Sequence, residues 1–151
     1  MSEIIQLNSQ AKLSEHFKLG EFTKSSSHPE VYNIPSHEAI ANLKRICTWL
    51  EVLRKRYGKP IIINSGYRSP QLNRKIGGVK NSNHLTGCAV DIRVTGMEQA
   101  KQYAEILREY ADESHQDFDE LLIEKNRYGA IWLHFAVRPR ENRRRFLYIN
   151  A

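Results

Sequence analysis

The stretch Ser82-Asn83-His84-Leu85-Thr86-Gly87-Cys88-Ala89-Val90-Asp91-Ile92-Arg93-Val94 joins a polar loop to a run of small and β-branched residues. His84 and Asp91 are seven positions apart. That spacing is too long for one face of a helix, but it suits a turn followed by a strand. Gly87 permits the turn, and residues 88–94 have the composition of a strand. The sequence therefore predicts a strand with a single acid among apolar residues.

An acid in such a strand needs a partner, because burying an unpaired carboxylate costs several kcal/mol. A metal ion is one such partner, and His134 provides a second imidazole. Two imidazoles and one carboxylate are the protein ligands that a catalytic zinc takes when its fourth position stays open for water. The alternative is that Asp91 pairs with Arg68 or Arg93 and that His84 is only a loop histidine.

The remaining pattern predicts an α+β fold. Helical spacing of apolar residues follows a possible cap at Ser36 and recurs at 97–110. Further elements are predicted as follows: an irregular segment at 13–27, a strand at 60–64, a short helix at 70–75, a turn at Gly77-Gly78, and strands at 121–124 and 130–137. We expect one domain over 1–151, with a central, mainly antiparallel sheet flanked by helices. Its core spans about 13–137, and a basic C-terminal segment covers 138–151.

The last two predicted strands form a hairpin that closes the sheet. If Glu124 pairs with Ala130, then Glu124 shares a face with Trp132 and His134, because strand side chains alternate with a period of two. The same register places Glu120 opposite His134. A slip of one residue would reverse both assignments.

Composition agrees with one enzyme-sized domain. The chain has 151 residues, 40% of them hydrophobic and 26% charged, enough for a continuous core. Two cysteines do not indicate a disulfide framework, and Cys88 is predicted to be a small packing residue. The formal charge of +6 and the arginines at 138, 140, 143, 144 and 145 would attract anionic polymers. No nucleic-acid motif accompanies them, so nucleic acid is not an expected partner.

Several motifs occur together and in a fixed order. They are Phe22-Thr23, Asn64-Ser65-Gly66-Tyr67-Arg68-Ser69, Leu72-Asn73, Ile76-Gly77-Gly78-Val79, Ser82 to Asp91, Phe118-Asp119-Glu120-Leu121-Leu122 and Trp132-Leu133-His134. On these motifs, the segment from Phe17 to His134 resembles the M15 family of zinc D-alanyl-D-alanine carboxypeptidases and peptidoglycan endopeptidases. The resemblance is greatest to the phage-type subgroup, which is similar to subfamily A of that family. It implies a hedgehog/DD-peptidase-like fold and one Zn²⁺ ion bound by His84, Asp91 and His134.

The resemblance also implies two catalytic groups. Arg68, at the end of the predicted strand 60–64, would steady the oxyanion, although it could instead be a loop arginine paired with a carboxylate. Many family members carry an acid three residues before the final histidine, but this position is Ile131 here. Glu124 is therefore the predicted general base. Glu120 is the other candidate for the base. Alternatively, Glu120 is a hydrogen-bond partner that orients the ligand His134.

The implied function is zinc-dependent hydrolysis of peptide bonds in peptidoglycan stem peptides, either as a D-Ala-D-Ala carboxypeptidase or as an endolysin-type endopeptidase. The alternative is a non-catalytic cell-wall-binding or phage assembly protein that keeps the metal-site fold. The N-terminal residues resemble no signal peptide, and no apolar stretch approaches membrane-spanning length. We therefore expect cytoplasmic synthesis and no membrane insertion. Action on the cell wall would follow phage-type release or carriage on a virion.

Overall fold

The structure, a computed structural model, describes residues 9–25 and 27–150. The strands of this part of the chain are β1 (Ile63–Ser65), β2 (Ala89–Arg93), β3 (Glu120–Lys125), β4 (Ile131–Ala136) and β5 (Arg145–Asn150). They form one sheet in the order β1-β2-β4-β3-β5. Adjacent strands are antiparallel except for β3 and β5, which are parallel. The predicted α+β fold with a mainly antiparallel sheet is confirmed.

The helices are α1 (Leu19–Thr23), α2 (His37–Tyr57), α3 (Pro70–Ile76) and α4 (Met97–Ser114), with a 3₁₀ turn at Asn83–Thr86. Helix α2 begins where predicted, since the Ser36 side chain accepts a hydrogen bond from the Ala39 amide. It ends at Gly58, whose φ of 85° is the left-handed conformation that glycine adopts readily. No helix within the described ranges is long and apolar enough to cross a membrane.

The hydrophobic core lies between one face of the sheet and helices α2 and α4. Strand alternation sends Val90 and Ile92 of β2 to this face, together with Leu133 and Phe135 of β4. The Trp49 ring of α2 packs 5.5 Å from the Phe135 ring, centroid to centroid. Because successive side chains of a strand point to opposite faces, the polar residues of these strands project from the face that α2 and α4 do not cover.

The turn before β2 is fixed against α2. Gly87 has a φ of 75°, and a Cβ atom there would lie 2.4 Å from the Ala39 carbonyl oxygen. Glycine is thus required both by the backbone conformation and by the close approach. The Asn42 amide also donates to the Thr86 carbonyl oxygen at 2.9 Å. These contacts place His84, on the same turn, at the edge of the sheet face opposite α2 and α4.

The structure corrects the predicted hairpin register by two residues. Glu124 pairs with Trp132 rather than Ala130, and Glu120 pairs with Ala136 rather than His134. The cause is the loop between the strands. The Asn126 main-chain amide donates to the Ala130 carbonyl oxygen at 3.0 Å, and the Ala130 amide donates to Asn126 Oδ1 at 3.0 Å. Because a shift of two keeps side chains on the same face, Glu120 and Glu124 still share the face of His134.

Two elements were not predicted. Helix α1 lies in the segment expected to be irregular, and β5 lies in the segment expected to be only a basic terminus. The final hairpin therefore does not close the sheet, since β5 adds a strand beyond β3. Both cysteines are buried and unpaired, as the sequence predicted.

Candidate metal centre

Sheet register brings two of the three predicted ligands together. Asp91 of β2 lies directly opposite His134 of β4, and Leu122 of β3 lies on the other side of His134. His84 reaches the same point from the 3₁₀ turn that precedes β2. All three side chains are buried, on the face that the helices leave open.

The ligand atoms are spaced as a metal requires. Asp91 Oδ1 lies 3.3 Å from His84 Nε2 and 3.1 Å from His134 Nδ1. All three ligand atoms lie within 4.8 Å of one another. Ligands about 2.0–2.1 Å from a tetrahedral zinc are separated by roughly 3.3 Å, so the two shorter distances match a zinc site. Three protein ligands leave one position open, and this donor set fits a single Zn²⁺ cofactor.

A backbone carbonyl sets the orientation of the His84 ring. Nδ1 of His84 lies 2.6 Å from the Gly66 carbonyl oxygen. A carbonyl oxygen only accepts hydrogen bonds, so Nδ1 carries the proton and the lone pair is on Nε2, the atom that faces Asp91. The Arg68 amide donates to the His84 carbonyl oxygen at 3.0 Å, which ties the loop after β1 to the turn.

A carboxylate orients the His134 ring in the same way. Nε2 of His134 lies 2.9 Å from Glu120 Oε1, while Nδ1 faces Asp91. With its proton on Nε2, the ring presents the Nδ1 lone pair to the metal site. This is the carboxylate–histidine–metal arrangement that fixes ligand orientation in many metalloproteins.

The pKa values of the three predicted ligands depend on one another and on burial. Burial lowers the pKa of His84 despite its contact with Asp91. Burial also disfavours the charged form of His134, but hydrogen bonds to Asp91 and Glu120 prevail and raise its pKa to about 10. For Asp91, burial is outweighed by His84 and His134, which hold its pKa well below the usual range. A pKa of about 10 favours a protonated His134 ring at neutral pH without metal, and zinc binding would displace that proton.

Arg68 lies beside the predicted ligands, paired with Asp91. Its Nη2 donates to Asp91 Oδ2 at 3.1 Å, and its other nitrogens donate to Ser65 at 3.1 Å and Asn73 at 3.3 Å. Arg68 is thus the partner of Asp91, whereas Arg93 bonds to Asn64. The most direct effect of Arg68 is to hold Asp91 with Oδ1 towards the histidines.

The two glutamates on this face have different environments. Glu120 is contacted by His134 and Asn83, and its pKa is lowered chiefly by the His134 hydrogen bond. Within residues 9–25 and 27–150, the Glu124 carboxylate has no hydrogen-bond partner, and burial raises its pKa. Its Oε1 is nevertheless only 3.9 Å from His134 Nδ1. Ile131, three residues before His134, packs against the core on the other face.

The metal ligands lie in a cleft of about 650 Å³. Its lining includes Arg143, just before β5, Arg145, the first residue of β5, and the residues from Ile76 to Val79. Sequence reasoning assigned no site role to Asn83, Asp119 or Arg143, which support Glu120 and His134. A signal was present, since Asn83 and Asp119 both fall within motifs that carry the family resemblance.

Comparison with known proteins agrees with this geometry. The family model described as Peptidase M15 matches residues 15–126, which include His84, Asp91 and Glu124. The zinc D-Ala-D-Ala carboxypeptidase of Streptomyces albus G is 30% identical over 92 residues. That alignment covers 60% of this chain but 36% of the relative, so the chain spans little more than a third of the relative's length. With the family match extending over most of its length, the chain belongs to the M15 peptidase family.

Proposed function

We propose that the protein is a zinc-dependent peptidase that hydrolyses peptide bonds in peptidoglycan stem peptides. The observation that carries this proposal is the three-ligand cluster of His84, Asp91 and His134 with a nearby carboxylate, Glu124, whose Oε1 lies 3.9 Å from His134 Nδ1. A structural zinc site normally has four protein ligands, whereas a catalytic site keeps one position open. The zinc carboxypeptidase from Streptomyces supports the same chemistry and the same class of substrate.

The roles of the residues follow from their surroundings. When bound, zinc supplies a water whose pKa is lowered toward about 7 and polarises the scissile carbonyl. Glu124 takes the proton of the attacking water and returns it to the leaving amine, because it is close to the ligands and, in the described part of the chain, has no competing hydrogen bond. Arg68 holds Asp91 and, lining the cleft, stabilises negative charge on the carbonyl oxygen.

The cleft suits a peptide that carries carboxylates. The side chains of Arg143 and Arg145 are 43% and 42% exposed, so both side chains reach solvent at the cleft edge. Stem peptides are anionic, and a positive rim favours their approach. A peptidoglycan substrate also requires access to the cell wall. We propose that phage-type release, or carriage on a virion, provides that access.

The test is hydrolysis of defined substrates by zinc-loaded protein. Purified peptidoglycan and a soluble stem peptide ending in D-Ala-D-Ala are incubated with the protein, and the products are identified by mass spectrometry. Free D-alanine indicates a carboxypeptidase, and cleaved cross-links or internal fragments indicate an endopeptidase. A chelated sample and a sample with zinc restored are the controls.

Two variants sharpen this test. Glu124→Gln removes the proposed base without changing the shape of the side chain. Glu109→Gln makes the same chemical change at an exposed position of α4, in the helix layer away from the cleft. The proposal requires chelator-sensitive cleavage that Glu109→Gln retains and Glu124→Gln loses. Stoichiometric zinc without any cleavage would instead favour a cell-wall-binding or assembly role.

A further inference from the structure

Asp119, the residue just before β3, is a fully buried acid outside the metal cluster. Its side chain is 0% exposed, and three groups of Arg143 donate to it: the main-chain amide at 3.0 Å, Nε at 2.9 Å and Nη2 at 2.7 Å. Asn83 Nδ2 donates to it at 2.8 Å, and Arg138 Nε lies 3.3 Å away. These contacts hold the pKa of Asp119 at about 2 although burial opposes ionisation.

The neighbouring acid, Glu120, connects this cluster to a metal ligand. The Asn83 amide nitrogen that donates to Asp119 also lies 2.8 Å from Glu120 Oε1, and the same oxygen contacts His134 Nε2 at 2.9 Å. The other oxygen, Oε2, lies 3.6 Å from Arg143 and 3.4 Å from Arg145. Glu120 is thus held on both oxygens, one facing the ligand and the other facing the arginines.

The cluster also reaches the second histidine ligand. Asn83 immediately precedes His84 in the 3₁₀ turn, and its side chain is fixed at both ends. Nδ2 donates to the two acids, and Oδ1 accepts from Arg138 Nε at 3.0 Å. One buried carboxylate therefore supports the turn that carries His84 and the acid that orients His134.

The arginines are needed because two acids are adjacent in the chain and largely buried. Like charges at this separation repel, and a buried carboxylate without a partner costs several kcal/mol. Arg143 bonds closely to Asp119 and its Nη2 also lies 3.6 Å from Glu120 Oε2, so its guanidinium compensates Asp119 chiefly and Glu120 in part. Without it, Asp119 would lose its closest partner, and the repulsion between the two acids would weaken the hold of Glu120 and Asn83 on the ligands.

We propose that Arg143 and Asp119 are positioning residues for the metal centre, acting through Glu120 on His134 and through Asn83 on His84. The C-terminal strand then has a role in the site, since Arg143 leads into β5. The inference rests on the proposed function in taking His134 as a metal ligand. It concerns metal affinity and is measured separately from hydrolysis.

The chain supplies a matched control in the adjacent residue. Arg144 anchors the same segment, but it pairs with Asp112 and Asp117, away from the cleft. Arg143→Ala and Arg144→Ala therefore both remove an ion pair that fastens β5, and only the first disturbs the support of the ligands. Arg143→Lys keeps the charge but loses the two-pronged contact with Asp119.

The experiment measures zinc affinity by competition with a chromophoric chelator, with thermal unfolding of each metal-free variant alongside. We expect Arg143→Ala to weaken zinc binding by about 10-fold, the lower end of the range for losing a direct hydrogen-bond partner of a ligand, because Arg143 acts through Glu120. Arg143→Lys should lie between Arg143→Ala and the unaltered protein. Arg144→Ala should lower the melting temperature without weakening zinc binding. With a cleavable peptide, kcat should fall in Arg143→Ala at saturating zinc.

Equal zinc affinity in Arg143→Ala and Arg144→Ala would overturn the inference, whatever their melting temperatures. If the unaltered protein binds zinc tightly but cleaves nothing, the proposed function fails while the affinity comparison still decides this inference. If the unaltered protein does not bind zinc at all, both fail.

Discussion

Replacing Glu124 with glutamine tests the proposed chemistry with little disturbance of the structure. Glutamine has the same size, and no hydrogen bond of Glu124 within the described residues is lost. Burial is the leading cause of the raised pKa of Glu124, and it outweighs the opposing effect of nearby His134, while the negative charge of Asp91 adds to it. A neutral amide in this position should therefore leave the free energy of unfolding unchanged or slightly higher.

The expected effect on catalysis is much larger. A positioned general base contributes about 10²- to 10⁴-fold to a rate, which corresponds to roughly 3–5 kcal/mol of activation free energy at about 1.36 kcal/mol per factor of ten. Glu124 Oε1 lies 3.9 Å from His134 Nδ1, close enough to serve a reaction at the ligands without being one of them. We thus expect kcat to fall by at least about 100-fold while the bound zinc stays near one ion per chain.

The assay is a pair of measurements on the same sample: kcat with a stem peptide, and zinc content by atomic emission. Glu109→Gln provides the matched control. Full turnover in Glu124→Gln with zinc bound would refute the role of Glu124. Loss of zinc together with activity would show that Glu124 supports the metal instead.

The remaining predictions concern the metal and the rim of the cleft. His134→Ala should lose both zinc and activity, whereas His37→Ala, at an exposed helix terminus, should keep both. The zinc content of the two purified variants is the measurement. Undiminished zinc in His134→Ala would exclude His134 as a ligand. Because the pKa of His134 is raised to about 10 without metal, zinc binding near neutral pH should release about one proton from it and tighten as pH rises. Calorimetry in buffers of different ionisation enthalpy measures that release, and a heat independent of buffer would count against it. Arg145→Gln should raise KM for an anionic stem peptide, more at low salt, while Arg140→Gln, outside the cleft lining, should have a smaller effect. Zinc content is measured alongside because Arg145 also contacts Glu120, and equal effects at unchanged zinc would point to net charge alone.

The sequence predicted those parts of the fold in which a local pattern matches the environment. Residues of α2 repeat with a helical period because one face packs on the sheet, and Ser36 caps its start as predicted. In β2, an acid among apolar residues correctly indicated a buried strand. The shared face of Glu120, Glu124 and His134 was also predicted correctly, because strand alternation survives a register shift of two residues.

Strand β5 was missed because its pattern is that of an edge strand. Most of its side chains are exposed and it begins at the last of three consecutive arginines, so its alternation is weak and its charge resembles that of a solvated terminus. Its parallel pairing with β3 depends on contacts distant in the chain, such as the Arg145 amide with the Asp119 carbonyl oxygen at 3.0 Å. For the same reason, the sequence did not indicate the support of Glu120 by Arg143.

The most direct test of the metal centre is crystallographic. Crystals grown with one equivalent of zinc are measured on both sides of the zinc absorption edge, and the anomalous difference map locates the ion. We predict one peak bonded to His84 Nε2, His134 Nδ1 and Asp91 Oδ1, with a fourth position free of protein atoms. A peak at any other ligand set, or a fourth protein ligand closing the site, would contradict the account.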